Sequence, residues 1–266
     1  MPLLPLTRRR ALTAAAAALV ANPASTALAQ YAEHKPRFRA VILSEGGSGD
    51  HQSFVDAGKA YIAKIAPEND FTFDSITSTS PINEEFLAQY DLFIQLNHAP
   101  YAWTPIAQAA FERYITLGKG GWMGFHHAGL LGDFDGYPMS PWFSNFMGGI
   151  RFTHYLPNFA RATVRIEDRS HPLAKGLPES FVIEKEEWYT WSQSPRPNVH
   201  VIANVDEASY QPNTMIKMGG DHPVIWSNPH YKARNVYIFM GHYAGLFDNP
   251  NFVQLFRNAI FWGAGQ

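Results

Sequence analysis

The sequence predicts an α/β fold with a mostly parallel central sheet, helices on both faces and an elaborated second half. Three observations predict it. Up to residue 127, short apolar runs alternate with helix-period segments across short polar links, the pattern of strand–helix–strand units. The first apolar run opens into a glycine-rich loop followed by a helical stretch. After several further strand-like runs, the chain closes on a helix with one apolar stripe.

Residues 38–44 (FRAVILS) form the first expected strand, the loop from Glu45 to His51 carries Gly46, Gly47 and Gly49, and residues 52–65 form the first helix. Strands follow at 71–76 and 90–96, with a short helix at 83–89 between them. Thr104 is the expected N-cap of the next helix, Pro105 its first residue and Gly118 its stop. Residues 120–125 are a fourth strand running into His126-His127. To this point the pattern is flavodoxin-like, with right-handed crossovers. Residues 128–160, rich in glycine, proline and aromatics, have little periodicity, as a functional loop would. Strands are expected at 162–166, 181–184, 199–205, 223–226 and 236–240. The last helix spans 251–262, its stripe made by Phe252, Leu255, Phe256, Ala259 and Ile260.

Residues 1–29 stand apart. Arg8, Arg9 and Arg10 precede an alanine-rich apolar run and an Ala27-Leu28-Ala29 ending, the signature of a cleaved export signal. The arginine cluster reads as a twin-arginine address, with an ordinary Sec signal as the alternative. The run is too short for a stable bilayer span. Residues 30–266 are then expected to form one domain in the periplasm or outside the cell. Losing three arginines and no acid takes the formal charge from −2 to about −5, which argues against nucleic acid and anionic membranes as partners. The absence of cysteine excludes disulfides, thiolate metal sites and thiol nucleophiles, and suits an oxidising compartment. Aromatics make up 14% of the chain; most such residues are core or rim, and they are also what a sugar cleft uses.

Ligands of an open parallel sheet sit beyond the carboxyl ends of its strands. Glu45, Asp50 and His51 follow the first expected strand, Asn97 and His98 the third, His126 and His127 the fourth, and His242 the last. Four distant segments thus bring histidine to one edge. Histidine suits proton transfer near neutral pH and metal ligation. Glu187 adds a carboxylate, although Glu184, Glu186 and Glu187 also read as a solvated acidic edge. His171 and His222, each followed by proline, read as structural. The glycine loop lacks the lysine of a P-loop and the third glycine of a dinucleotide fingerprint, and no nucleophile elbow or His-Glu-x-x-His helix occurs.

An ordered series of motifs resembles the ThuA-like (trehalose utilisation) family: Gly120-Gly121-Trp122-Met123-Gly124-Phe125-His126-His127-Ala128-Gly129, Trp142, Gly148-Gly149, His154, Asp168…His171-Pro172, Glu187-Trp188-Tyr189, His222-Pro223-Val224-Ile225-Trp226, Gly241-His242 and Trp262. Glu186 stands where the family often has Asp. The resemblance covers roughly residues 38–264 and implies a class I glutamine amidotransferase-like fold. Gly124-Phe125-His126 occupies the place of the amidotransferase cysteine, so that reaction is excluded. The implied substrates are disaccharides, glycosides and their 3-keto derivatives.

On this basis the expected activity is that of a 3-keto-glycoside lyase, hydrolase or isomerase using histidine acid–base chemistry. The alternative is a non-catalytic carbohydrate-binding protein or an accessory component partnering a periplasmic sugar dehydrogenase. His126, His127, His154, Glu187 and His242 are the expected catalytic residues. Glu45, Asp50, His51, Asn97, His98, Trp142 and Tyr189 are expected to bind substrate. No cofactor is required by the sequence, but a divalent metal held by His126, His154, Glu187 and His242 is one arrangement of these groups.

Overall fold

Five parallel strands meet four antiparallel neighbours in one sheet. The computed structural model describes residues 34–266, so the export-signal expectation for 1–29 lies outside the described residues. Among the described residues the main sheet has the order β2-β1-β3-β4-β11-β10-β9-β6-β7. Its parallel part comprises β1 (Phe38–Ser44), β2 (Phe71–Ile76), β3 (Leu92–Leu96), β4 (Gly121–Phe125) and β11 (Asn235–Ile238). β6 (Arg161–Ile166), β7 (Ser180–Ile183), β9 (His200–Gln211) and β10 (Pro223–Ser227) extend it antiparallel. A separate two-stranded ribbon pairs β5 (Phe152–Tyr155) with β8 (Tyr189–Trp191). Residues Pro36–Gln266 form one compact unit.

Local chemistry sets the element ends. α1 (Gly49–Glu68) starts earlier than the periodicity predicts, because Gly49 takes a φ of +71° at its first position. Asp50 and His51 therefore belong to a helical first turn and not to the loop. A short α2 (Glu84–Leu87) is capped by Asn83, whose side chain accepts from the Phe86 amide. The Thr104 side chain accepts from the Ala107 amide at 3.2 Å at the head of α3 (Pro105–Leu117), and Gly118, with φ +67°, ends it. α4 (Pro141–Phe146) and the β5–β8 ribbon give regular structure to part of the stretch that lacks sequence periodicity. α5 (Pro250–Gly263), capped by Asn249, buries Phe252, Leu255, Phe256, Ala259 and Ile260. Burial of each large side chain there contributes about 1.5–3 kcal/mol. β9 is much longer than the expected 199–205. No helix among the described residues is long and apolar enough to cross a membrane.

The consequence for the site is positional. β1, β3 and β4 end side by side, β11 lies next to β4, and the chain leaves this edge through Glu45, Asn97, His126 and, shortly after β11, Gly241-His242. α1 delivers His51 to the same edge. The link from β7 to β8 brings Glu186 and Glu187 across from the antiparallel half.

Candidate metal centre

His126 sits at the tip of β4 with φ +41°, a conformation disfavoured for a residue with a Cβ. Two contacts hold it there. The Tyr237 hydroxyl donates to the His126 carbonyl at 2.8 Å. Gly241 packs so closely that a Cβ on it would lie 2.8 Å from the His126 Cβ. The result is a fully buried imidazole aimed at the strand-end cluster.

Around it, His126 Nε2 lies 3.3 Å from His242 Nδ1 and 3.6 Å from Glu187 Oε2, and His242 Nδ1 lies 3.5 Å from the same oxygen. The His51 ring is 4.2 Å from that of His242 and 5.3 Å from that of His126. His51, His126, Glu187 and His242 each offer one ligand atom, all within 4.8 Å of one another. The Tyr189 hydroxyl is 3.0 Å from His126 Nε2.

The electrostatics match this geometry. Burial, then the neighbouring His127 and His242, lowers His51 to about 3. Burial drives His126 well below the usual histidine value despite Glu187 beside it. Burial alone would raise Glu187, but the imidazoles of His126 and His242 hold it at about 2. Neutral imidazoles and an ionised carboxylate are the protonation states a divalent cation requires. His51 Nε2 is buried without a hydrogen-bond partner, an arrangement costly in a closed protein interior. Three nitrogens and one oxygen, with no sulfur, fit zinc or another borderline divalent ion.

Glu186, read from sequence as part of an acidic edge, is instead fully buried. Its carboxylate accepts from the Gly241 amide at 3.0 Å, the His242 amide at 3.4 Å and the Glu187 amide at 2.9 Å. Oε1 lies 3.7 Å from His126 Nδ1. Burial raises this carboxyl to about 7. From behind His126 and on the amides of Gly241 and His242, this carboxyl supports the cluster without entering it. Its strand-like parity with the buried Trp188 is the signal that finds it. Lys185, also missed, bonds Asp50 Oδ2 at 3.0 Å, and that oxygen lies 3.9 Å from His242 Nε2.

His127 occupies a wetter position. Its Nδ1 is 2.7 Å from Glu45 Oε2, and its ring is 4.1 Å from that of His51. With Nδ1–H donating to the carboxylate, Nε2 carries the basic lone pair.

Four further expected residues lie outside this cluster. His154 is exposed on β5, where pairing with β8 slips between Phe152 and His154, and it joins no cation-holding group among the described residues. His51 stands in its place. Trp142 packs against Phe111, Phe143, Phe146 and Tyr231, within an aromatic cluster that reaches Trp122 near the start of β4, away from the histidine edge. Asn97 is fully buried with φ +57° and donates to the Gly241 carbonyl at 2.7 Å, so its amide shapes the turn that leads to His242. His98 is half-buried, its Nδ1 3.2 Å from the Ala99 carbonyl, beside the cluster and not in it.

Known proteins share this architecture. A family model described as ThuA, trehalose utilisation, matches residues 39–263. A ThuA-like protein from Bacteroides uniformis is 33% identical with a TM-score of 0.77, over 87% of this chain and 93% of that one. A ThuA-like protein from Parabacteroides merdae is 17% identical with a TM-score of 0.61, over 86% and 90%. A GMP synthase protein from Thermoplasma acidophilum, 11% identical over 88% and 96% with a TM-score of 0.54, shares the fold. No curated protein matches. With nearly its whole described length matched, the chain belongs to the ThuA family and has the α/β, class I glutamine amidotransferase-like fold.

Proposed function

We propose that this protein is an exported enzyme that processes disaccharides or glycosides through their 3-keto derivatives, using a divalent metal held by His51, His126, Glu187 and His242. The observation that carries the reading is the convergence of three imidazoles and one ionised carboxylate within 4.8 Å. The family description, trehalose utilisation, supports the sugar class. The signal-like residues 1–29 support export.

A keto group at C3 acidifies the C2–H bond. His127, its Nδ1 fixed on Glu45, takes that proton at Nε2. The C2–H electron pair forms the C1=C2 double bond, the C1–O bond breaks, and the departing glycoside oxygen receives a proton. Addition of water to the C1=C2 product would make the net reaction a hydrolysis; return of the proton to the other face of C2 in the enolate, before the C1–O bond breaks, would make it an isomerisation. The metal would supply positive charge to the oxygen that gains negative charge. Tyr189, held neutral well above the usual tyrosine value by burial and then Glu187, keeps its hydroxyl proton for donation beside His126.

A proton NMR time course tests this. The mature protein is mixed with a 3-keto-glucoside, with and without chelator, beside His127→Ala. New product signals that vanish in the variant and with chelator are expected. Line broadening without product in the wild-type protein would replace the enzyme by a sugar-binding protein.

A further inference from the structure

Next to the histidine edge lies an aromatic strip that the proposed chemistry does not use. Phe134 and Tyr137 exchange backbone hydrogen bonds of 3.1 and 2.8 Å across Asp135 and Gly136. Both central residues have positive φ, +53° and +82°, as a two-residue turn of this hand requires. The tight turn fixes Tyr137 while leaving it 52% exposed. Tyr101 lies 6.2 Å from Tyr137 and 5.3 Å from Phe134, ring to ring, and its hydroxyl donates to Asp135 Oδ2 at 3.1 Å. An exposed aromatic face with a carboxylate at its rim is the chemistry that receives a pyranose: the apolar sugar face packs on the ring, and hydroxyls donate to the acid.

The strip is continuous with the metal cluster. Phe134 is 5.9 Å from Phe152, Phe152 is 5.0 Å from Tyr189, and Tyr189 is 4.6 Å from His126. One end of the strip therefore leads through Phe152 and Tyr189 to His126, and Tyr137 at the other is open to solvent.

We propose that Tyr101, Asp135 and Tyr137 form the subsite for the second sugar ring, the one that leaves with the glycosidic oxygen. This rests on the sugar-processing reading above and makes a two-ring substrate, not a simple alkyl glycoside, the preferred ligand. A patch this small, formed by one turn and one neighbouring tyrosine, is matched by a single pyranose.

The test is binding, independent of turnover. Trehalose and methyl α-glucoside are titrated into the full mature protein by ligand-observed NMR, with Tyr137→Ala and Tyr137→Phe beside the wild type. Trehalose is expected to bind about tenfold more tightly than the methyl glucoside, the scale of one ring-stacking contact. Tyr137→Ala should bring the two within about twofold by weakening trehalose alone, and Tyr137→Phe should keep most of the preference. An undiminished preference in Tyr137→Ala, or equal binding of both sugars by the wild type, would overturn the subsite and leave the sugar-processing reading standing. Binding of neither sugar by the wild type would also overturn the subsite, and the 3-keto-glucoside time course decides the sugar-processing reading separately.

Discussion

Two buried histidine–glutamate groupings sit in this molecule and behave differently. In the antiparallel half, His222 Nδ1 lies 3.1 Å from Glu207 Oε1 and 3.2 Å from the Tyr210 hydroxyl, and Glu207 also accepts from the backbone amides of Met218 and Gly220. Burial would raise Glu207, but His222 and these amides hold it at about 2. One imidazole meets one carboxylate there, and the pair staples the segment after β9. At the parallel edge, three imidazoles gather around one ionised carboxylate, each of the four residues offering a ligand atom. The first grouping pairs one imidazole with one carboxylate and leaves His222 Nε2 without a partner, whereas the second gathers four potential ligand atoms within 4.8 Å, which we propose a cation completes. Burial, charge and unpartnered nitrogens do not separate them; the number of converging ligand atoms does.

That contrast can be broken by substitution. Glu187→Gln should remove stoichiometric metal and reduce turnover by at least about 10²-fold while the protein stays folded, as read by metal analysis and circular dichroism. Glu207→Ala should do the opposite. It leaves His222 without its carboxylate and should cost about 3–5 kcal/mol in denaturant unfolding, with metal content of the folded protein unchanged. Metal loss in Glu207→Ala together with full metal in Glu187→Gln would reverse the assignment.

Glu186→Gln should have a smaller effect, weakening metal affinity by about 10- to 100-fold in competition with a chromophoric chelator. An unchanged affinity would leave Glu186 only a backbone anchor for Gly241 and His242.

The smallest effect concerns pH. His51 falls from 6.5 unfolded to about 3 folded, so below 6.5 the unfolded state binds the extra proton. The metal-free protein should therefore lose stability as pH falls from 6.5 toward 3. Glu186 acts oppositely between 4.5 and about 7, where the folded state holds the proton and its contribution fades as pH rises. His51→Asn should flatten the acid-side slope of the unfolding midpoint; an unaltered slope would mean that His51 does not carry it.

Much of the architecture is legible in the sequence because strand and helix periods are local. The Thr104-Pro105 start, the Gly118 stop and the closing apolar stripe all depend on neighbours within a turn. The positions of His126, His127 and His242 follow from the same logic, since each lies just past a parallel strand. What sequence leaves open is orientation. A slip in β5 pairing turns His154 outward, Asn97 spends its amide on Gly241, and Trp142 joins a distant aromatic cluster. Glu186 and Glu187 differ by one residue, yet one orients the cluster from behind and the other faces it; only the path of the β7–β8 link decides which. His51 enters the cluster because Gly49 starts α1 early, a backbone event that periodicity does not register.

The most direct test is elemental analysis of the purified wild-type protein, followed by chelation and by titration of zinc and manganese into the metal-free form. One tightly bound divalent ion per chain, lost on chelation and restored on titration, with Glu187→Gln binding none, is the predicted result. A catalytically active wild-type protein that contains no metal and takes up none would contradict the metal-centre account.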